Sequence, residues 1–273
     1  MNDEPPEAPE PPENELAAFG YVPPDPAELP PLELGRAVGD VRPWGTVALL
    51  LSWALMFLLP GTRGAYADPD GLAIWGASVT HAPPLETAWR LLASTFLHAS
   101  VPHVFFNATS LLIVGASVEA IFTRWRFWIV YTLGGAAASL ASVLWRGAHE
   151  GGAVSLAVGG SGAVFALGGA LLAVAIRLRR RLAPSRARAF AASLLYLIAP
   201  GFAAGYAHPG TDNVAHAAGV LAGLLLGATL PVDPRLDGRA PGIATRLAAL
   251  ACGAALIASL TLAIARGETG AGG

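Results

Sequence analysis

The sequence predicts an all-α protein that crosses a lipid bilayer several times, and three observations carry that prediction. Hydrophobic residues fill 54% of the 273 positions and charged residues only 13%, a balance too apolar for an ordinary soluble domain. Apolar segments recur seven times, each approaching the ~20 residues that a spanning helix needs. The loops between them alternate in positive charge, as loops on opposite sides of a membrane do.

The elements follow in order. Residues 1–40 are rich in proline and acidic side chains, with no apolar run able to build a core, and read as a disordered tail. An acidic start with no apolar stretch behind it does not fit a signal peptide. The predicted spans are 44–59, 101–122, 125–145, 161–176, 189–207, 213–230 and 247–265. Between the first two, residues 60–95 form a long loop holding Trp75 and Trp89, which suits a partly membrane-embedded element. Gly134-Gly135 and Gly168-Gly169 fall inside spans, where small residues let helices approach closely. The sixth span adds Gly219, Gly223 and Gly227 at four-residue spacing, a ridge without side chains on which another helix can lie.

Every basic residue is an arginine, and together with the wealth of alanine, glycine and proline this points to a bacterial, GC-rich genome. Arg36, Arg42, Arg124, Arg126, Arg177, Arg179, Arg180, Arg181, Arg186, Arg188, Arg235, Arg239 and Arg246 fall on one side of the predicted layout. Arg63, Arg90, Arg146 and Arg266 fall on the other. The positive-inside rule makes the first side cytoplasmic, with the amino terminus inside and the carboxyl terminus outside. A formal charge of −2 excludes a global basic field for nucleic acid. The single cysteine, Cys252, lies in an apolar stretch and reads as a small packing residue.

Ionisable and amide side chains are costly inside a membrane, so those at the ends of spans two, four and six call for a reason. His103 and Asn107 stand at i, i+4 on one face of the second span. The fourth span opens on Gly159-Gly160-Ser161-Gly162, where glycines let backbone and substrate approach the hydroxyl. His216 sits in the sixth span, three residues before Gly219. Ser161 lies sixteen residues before Arg177, and His216 fifteen before Pro231. These are rises of about 24 and 22 Å, both short of the ~30 Å hydrocarbon core. Ser161 and His216 are therefore expected at one depth, below the outer boundary. Residues 153–158 would then be irregular backbone dipping into the membrane beside a wet cavity. A neutral histidine suits the task of taking a serine proton near pH 7. The Ser161 N–H, His103 and Asn107 are candidate donors for an oxyanion.

Trp89-Arg90, His98, His103-Val104-Phe105-Phe106-Asn107, Gly160-Ser161-Gly162 and Ala215-His216-Ala217-Ala218-Gly219 resemble, in order and approximate spacing, the rhomboid intramembrane serine proteases. The resemblance implies a six-helix catalytic core over 44–231, a cytoplasmic linker over 232–246 and an extra seventh helix over 247–265. It also implies a dyad of Ser161 and His216, with His103 and Asn107 stabilising the oxyanion and Gly160, Gly162 and Gly219 supporting the motifs. The implied reaction cuts peptide bonds in or near the outer end of transmembrane protein substrates, through an acyl-enzyme and with no cofactor or metal. The lipid bilayer is the other implied partner. Phe165 stands where family members often carry tyrosine, so its ring can pack beside the histidine without donating a hydrogen bond.

Simpler roles apply to several residues. Asp212, four before His216, reads as an N-cap rather than a third catalytic member. His98 is expected to make a structural bond to the first outer loop, and His81, His149 and His208 to be solvated. Glu119 with Arg124 or Arg126 reads as a set of interfacial anchors that pair with one another. No His-Glu-Xaa-Xaa-His motif or pair of membrane aspartates favours another protease class. The competing readings are an inactive rhomboid-like binding protein, which loss of the serine or histidine would signal, and a transporter, for which no inverted repeat is visible.

Overall fold

The computed structural model describes residues 42–68, 71–81, 87–152, 154–177, 188, 192, 194–195, 198–203, 210–232 and 241–270. The predicted tail over 1–40 lies outside these residues, as do His208 and most of the 232–246 linker. Helices dominate: α1 (Trp44–Thr62), the short α2 (Gly71–Ile74) and α3 (Arg90–Ala93), α4 (Val101–His149), α5 (Ser161–Arg177), α6 (Asn213–Thr229) and α7 (Ile243–Gly270). Among them, α1, α4 and α7 are long and apolar enough to cross a membrane, while α5 and α6 are shorter apolar helices. The protein is an all-α membrane protein. Of the predicted fifth span only scattered residues are described, and 198–203 are helical.

The second and third predicted spans are the two arms of α4. Its backbone breaks at Thr123, whose φ of 69° and ψ of 159° lie outside any helix. The chain reverses there, because both His103 and Arg146, near the far ends of the two arms, reach the segment that precedes Ser161. Arg126, just past the break, donates to the Val232 carbonyl at 2.9 Å beyond the end of α6.

Glu119 has a different partner from the expected arginines. Helix α1 starts at Pro43 with no side-chain cap of its own, which leaves its first amides without acceptors. The buried Glu119 carboxylate supplies them, accepting from Gly45 N at 3.0 Å, Thr46 N at 2.7 Å and Thr46 Oγ1 at 2.7 Å. A helix N-terminus carries partial positive charge, so the carboxylate finds its counter-charge in backbone and needs no guanidinium.

Helices α5 and α6 pack backbone to backbone. A Cβ on Gly219, Gly223 or Gly227 would lie 2.2, 1.9 or 2.6 Å from the carbonyl oxygens of Gly162, Ala166 and Ala170. The glycine ridge read from the sequence is therefore a backbone-to-backbone seam. At its C-terminal end Arg177 donates to the carbonyls of Gly227 at 2.8 Å and Leu230 at 2.7 Å. The three contacts share one register, in which Ser161 at the start of α5 falls opposite Ala218, half a turn past His216 on α6.

Residues 154–158 are more ordered than expected. Leu156–Ala157 (β2) pair antiparallel with Ser78–Val79 (β1), in the register Ser78 to Ala157 and Val79 to Leu156. Thr80 N donates to Ser155 O at 3.2 Å, Ser155 N to Thr80 Oγ1 at 2.9 Å, and Arg146 Nη1 to Leu156 O at 2.9 Å. Backbone away from water must find partners within the protein, and the loop between α1 and α4 provides them.

Cys252 packs with Ile129 and Ala249, as a small apolar residue does. Glu119→Ala is expected to destabilise the protein by about 2 kcal/mol, the scale of hydrogen bonds to a buried charge. Thermal unfolding in detergent and amide exchange over 44–49 check this, and an unchanged midpoint with unchanged exchange would contradict the capping role.

Candidate active site

At the N-terminal end of the α5–α6 seam, His216 Nε2 stands 2.9 Å from Ser161 Oγ. Ser161 is the first residue of α5 and His216 lies in the first turn of α6. The register of the seam, fixed here by the Gly219–Gly162 contact, brings the two side chains together. A hydrogen bond of this length is a path along which the serine proton can pass to the imidazole.

The turn into Ser161 is held on three sides. Gly159 has a φ of +130°, a conformation that suits glycine, and its N–H donates to Ser94 O at 2.9 Å. A Cβ on Gly159 would fall 2.9 Å from the His103 ring, and one on Gly160 only 2.1 Å from the Trp53 indole. These glycines let His103 and Trp53 lie against the backbone. Trp53 donates from Nε1 to the Tyr131 hydroxyl at 3.3 Å, which donates to Thr95 Oγ1 at 3.4 Å. No motif marks Trp53 and Tyr131 in the sequence; their one signal there is an aromatic with a polar tip deep in an apolar span.

His103 and Asn107 share one face of α4 and border the same turn. Asn107 and Ser161 line a cavity of about 30 Å³ with Ser110, Val114, Phe165 and Ile198 among its other walls. That volume suits one or two waters or a small side chain. Asn107 Nδ2 is buried and has no hydrogen-bond partner among the described residues. Buried donors are nearly always satisfied, so an orphan at this position marks a place where an acceptor can enter.

Phe165 stacks on His216 with ring centroids 4.1 Å apart and planes 9° from parallel. Phe202 meets the same imidazole edge-on at 5.9 Å. Gly201 lies against the tip of the Phe165 ring, where a Cβ would come within 2.4 Å of Cζ. A tyrosine hydroxyl there would press on that backbone.

Asp212 is an N-cap. Its Oδ1 accepts from Ala215 N at 2.9 Å, and its Oδ2 accepts from the Ser142 hydroxyl. His216 Nδ1 has no hydrogen-bond partner among the described residues. Among the described residues the arrangement is a pair, without a third member bonded to the imidazole. His98 is fully buried rather than bonded at the surface, and it packs edge-on between Trp53 at 4.9 Å and His103 at 5.1 Å. These two ring contacts are with α1 and α4. His81 and His149 are exposed, His149 stacking on Trp145 at 3.9 Å.

Fold and site together define a polytopic membrane protein with a serine–histidine pair inside its helix bundle. The Rhomboid domain family model matches residues 85–232, over half of the chain, and the chain belongs to the rhomboid family. It is 29% identical to Rhomboid protease GluP of Bacillus subtilis (strain 168) over 189 residues, covering 69% of this chain and 35% of that protein. It is 36% identical to RHOMBOID-like protein 1 of Arabidopsis thaliana over 149 residues, 54% of this chain and 36% of the relative. RHOMBOID-like protein 4 of the same plant is 32% identical over 149 residues, 55% and 36% of the two chains. The chain thus spans little more than a third of the length of these relatives.

Phe165→Ala removes a stacked aromatic neighbour contributing about 1 kcal/mol. It is expected to slow labelling of Ser161 by a fluorophosphonate about fivefold. Rate constants from gel fluorescence check this, and unchanged labelling would show that the stack does not orient His216.

Proposed function

We propose that the chain is an intramembrane serine protease in which Ser161 is the nucleophile and His216 the general base. The observation that carries this reading is the 2.9 Å contact between His216 Nε2 and Ser161 Oγ. Membership of the family that includes a named protease supports it.

Ser161 Oγ attacks the scissile carbonyl carbon while its proton passes to His216 Nε2. The carbonyl oxygen becomes an oxyanion, which the Ser161 N–H, His103 and the orphaned Asn107 Nδ2 stabilise. Collapse breaks the C–N bond, His216 returns its proton to the leaving amine, and an ester to Ser161 remains. A water then attacks the ester with His216 again accepting the proton, and the acid product leaves with Ser161 restored.

The substrates are transmembrane segments of other proteins, cut in or near their outer ends. The small cavity beside Ser161 suits a small side chain next to the cut. Segments that unwind easily are favoured, because a scissile bond held in a regular helix is screened by its own turns. The amino terminus is cytoplasmic and the carboxyl terminus extracytoplasmic. Arg63 and Glu268 at the outer ends of α1 and α7 pair with each other, while Arg126 and Arg177 gather around the end of α6, an asymmetry that matches the charge rule.

Purified protein in proteoliposomes with a model single-pass substrate tests this. Ser161→Ala and His216→Ala are expected to abolish cleavage. Asn107→Ala is expected to lower kcat by about 10²-fold with KM little changed, the scale of one lost oxyanion donor. Cleavage by Ser161→Ala at the wild-type rate, or a fluorophosphonate label that persists undiminished in His216→Ala, would reject the assignment.

A further inference from the structure

Helix α7 lies outside the stretch that defines the family, which ends at residue 232, yet its outer end is built into the loop that supports Ser161. Gly267 lies under Trp75, so closely that a Cβ would come within 2.3 Å of the indole, and Gly270 lies under Ile74 at 2.6 Å. Trp75 is only 2% exposed. The guanidinium of Arg266 sits over Trp89, 5.1 Å from the ring centroid. Glu268 pairs with Arg63 at the end of α1.

Both tryptophans bracket one turn. Trp89 lies on Gly76, where a Cβ would be 2.7 Å from the ring and φ is +101°. Arg90 closes the same turn by donating from Nη1 to the carbonyls of Ala73 and Ala77. That turn leads directly into β1, which pairs with β2 in the approach to Ser161. Residue Ser94, four past Arg90, accepts from Gly159 N at 2.9 Å. An unbroken series of contacts therefore runs from Gly267 and Arg266 to the residues immediately before Ser161.

We propose that α7 is a clamp on the outer loop, and that Gly267 and Arg266 are positioning residues that hold the Gly159–Ser161 turn through Trp75, Trp89 and the β1–β2 pair. This rests on the reading of Ser161 as nucleophile. A turn displaced by about 1 Å loses its alignment with His216, and misplacements of that size cost up to about 10²-fold in rate.

The test uses the full chain in proteoliposomes with Gly267→Leu, and Gly253→Leu as control on the same helix, where a Cβ meets nothing within 4 Å. Gly267→Leu is expected to lose amide-exchange protection over 155–159 and to lower kcat and the fluorophosphonate labelling rate at least tenfold, with KM near wild type. Gly253→Leu is expected to match wild type in all three. Retained protection over 155–159 in Gly267→Leu, or an equal loss in Gly253→Leu, overturns the clamp whatever the labelling shows. Protection lost in a chain whose wild type takes no label strikes the Ser161 reading alone. If Gly267→Leu fails to fold, Arg266→Gln decides. A two- to fivefold fall in kcat at constant KM, restored by Arg266→Lys, supports the clamp, and an unchanged kcat overturns it.

Discussion

The contact on which the rest of the molecule depends is the seam between α5 and α6, where three glycines of one helix meet three carbonyls of the other. Lipid tails offer apolar side chains no reason to leave them for one another, so close association in a membrane rests on packing and hydrogen bonds. Backbone contact without intervening side chains brings two helices as near as they can come. It also removes side-chain rotation as a source of play between them. With Arg177 tying the C-terminal end of α5 to α6 and the seam fixing one register along both helices, the separation of Ser161 from His216 follows from the packing of two rods.

Buried polar groups divide into two kinds around that seam. Glu119 is satisfied by the start of α1, and Asp212 by the start of α6 and Ser142. These carboxylates fix where helices begin. Asn107 Nδ2 and His216 Nδ1 lack partners among the described residues, and both flank Ser161. Unsatisfied donors inside a protein are costly unless something uses them, and their place beside the serine supports the catalytic reading. Tyr131, Trp53 and Thr95 hold the aromatic wall that presses on Gly160.

Much of this was legible in the sequence, for physical reasons that can be named. Hydropathy and arginine placement marked α1, both arms of α4, α5, α6 and α7, because a span must satisfy its own backbone and be apolar over a fixed length. The break near residue 123 showed as Arg124 and Arg126 between two apolar runs, although its backbone angles did not. Four-residue glycine spacing predicted the seam, and helix rise predicted that Ser161 and His216 share a depth. What escaped was long-range. Glu119 meets Gly45 across 74 positions, and Leu156–Ala157 pair with Ser78–Val79 at a similar remove. No local pattern encodes such pairings. The contacts of α7 with the 60–95 loop escaped for the same reason.

The central claim is that backbone contact along the α5–α6 seam sets the reactivity of Ser161, and Gly219 tests it most directly. A side chain there would meet the Gly162 carbonyl, at 2.2 Å for Cβ alone, one turn from His216 and one residue from Ser161. The decisive measurement is the fluorophosphonate labelling rate of Gly219→Val, made on protein that elutes as a folded species and retains its helical circular dichroism. The account predicts that labelling falls at least a hundredfold while the fold persists. Labelling at the wild-type rate would contradict it.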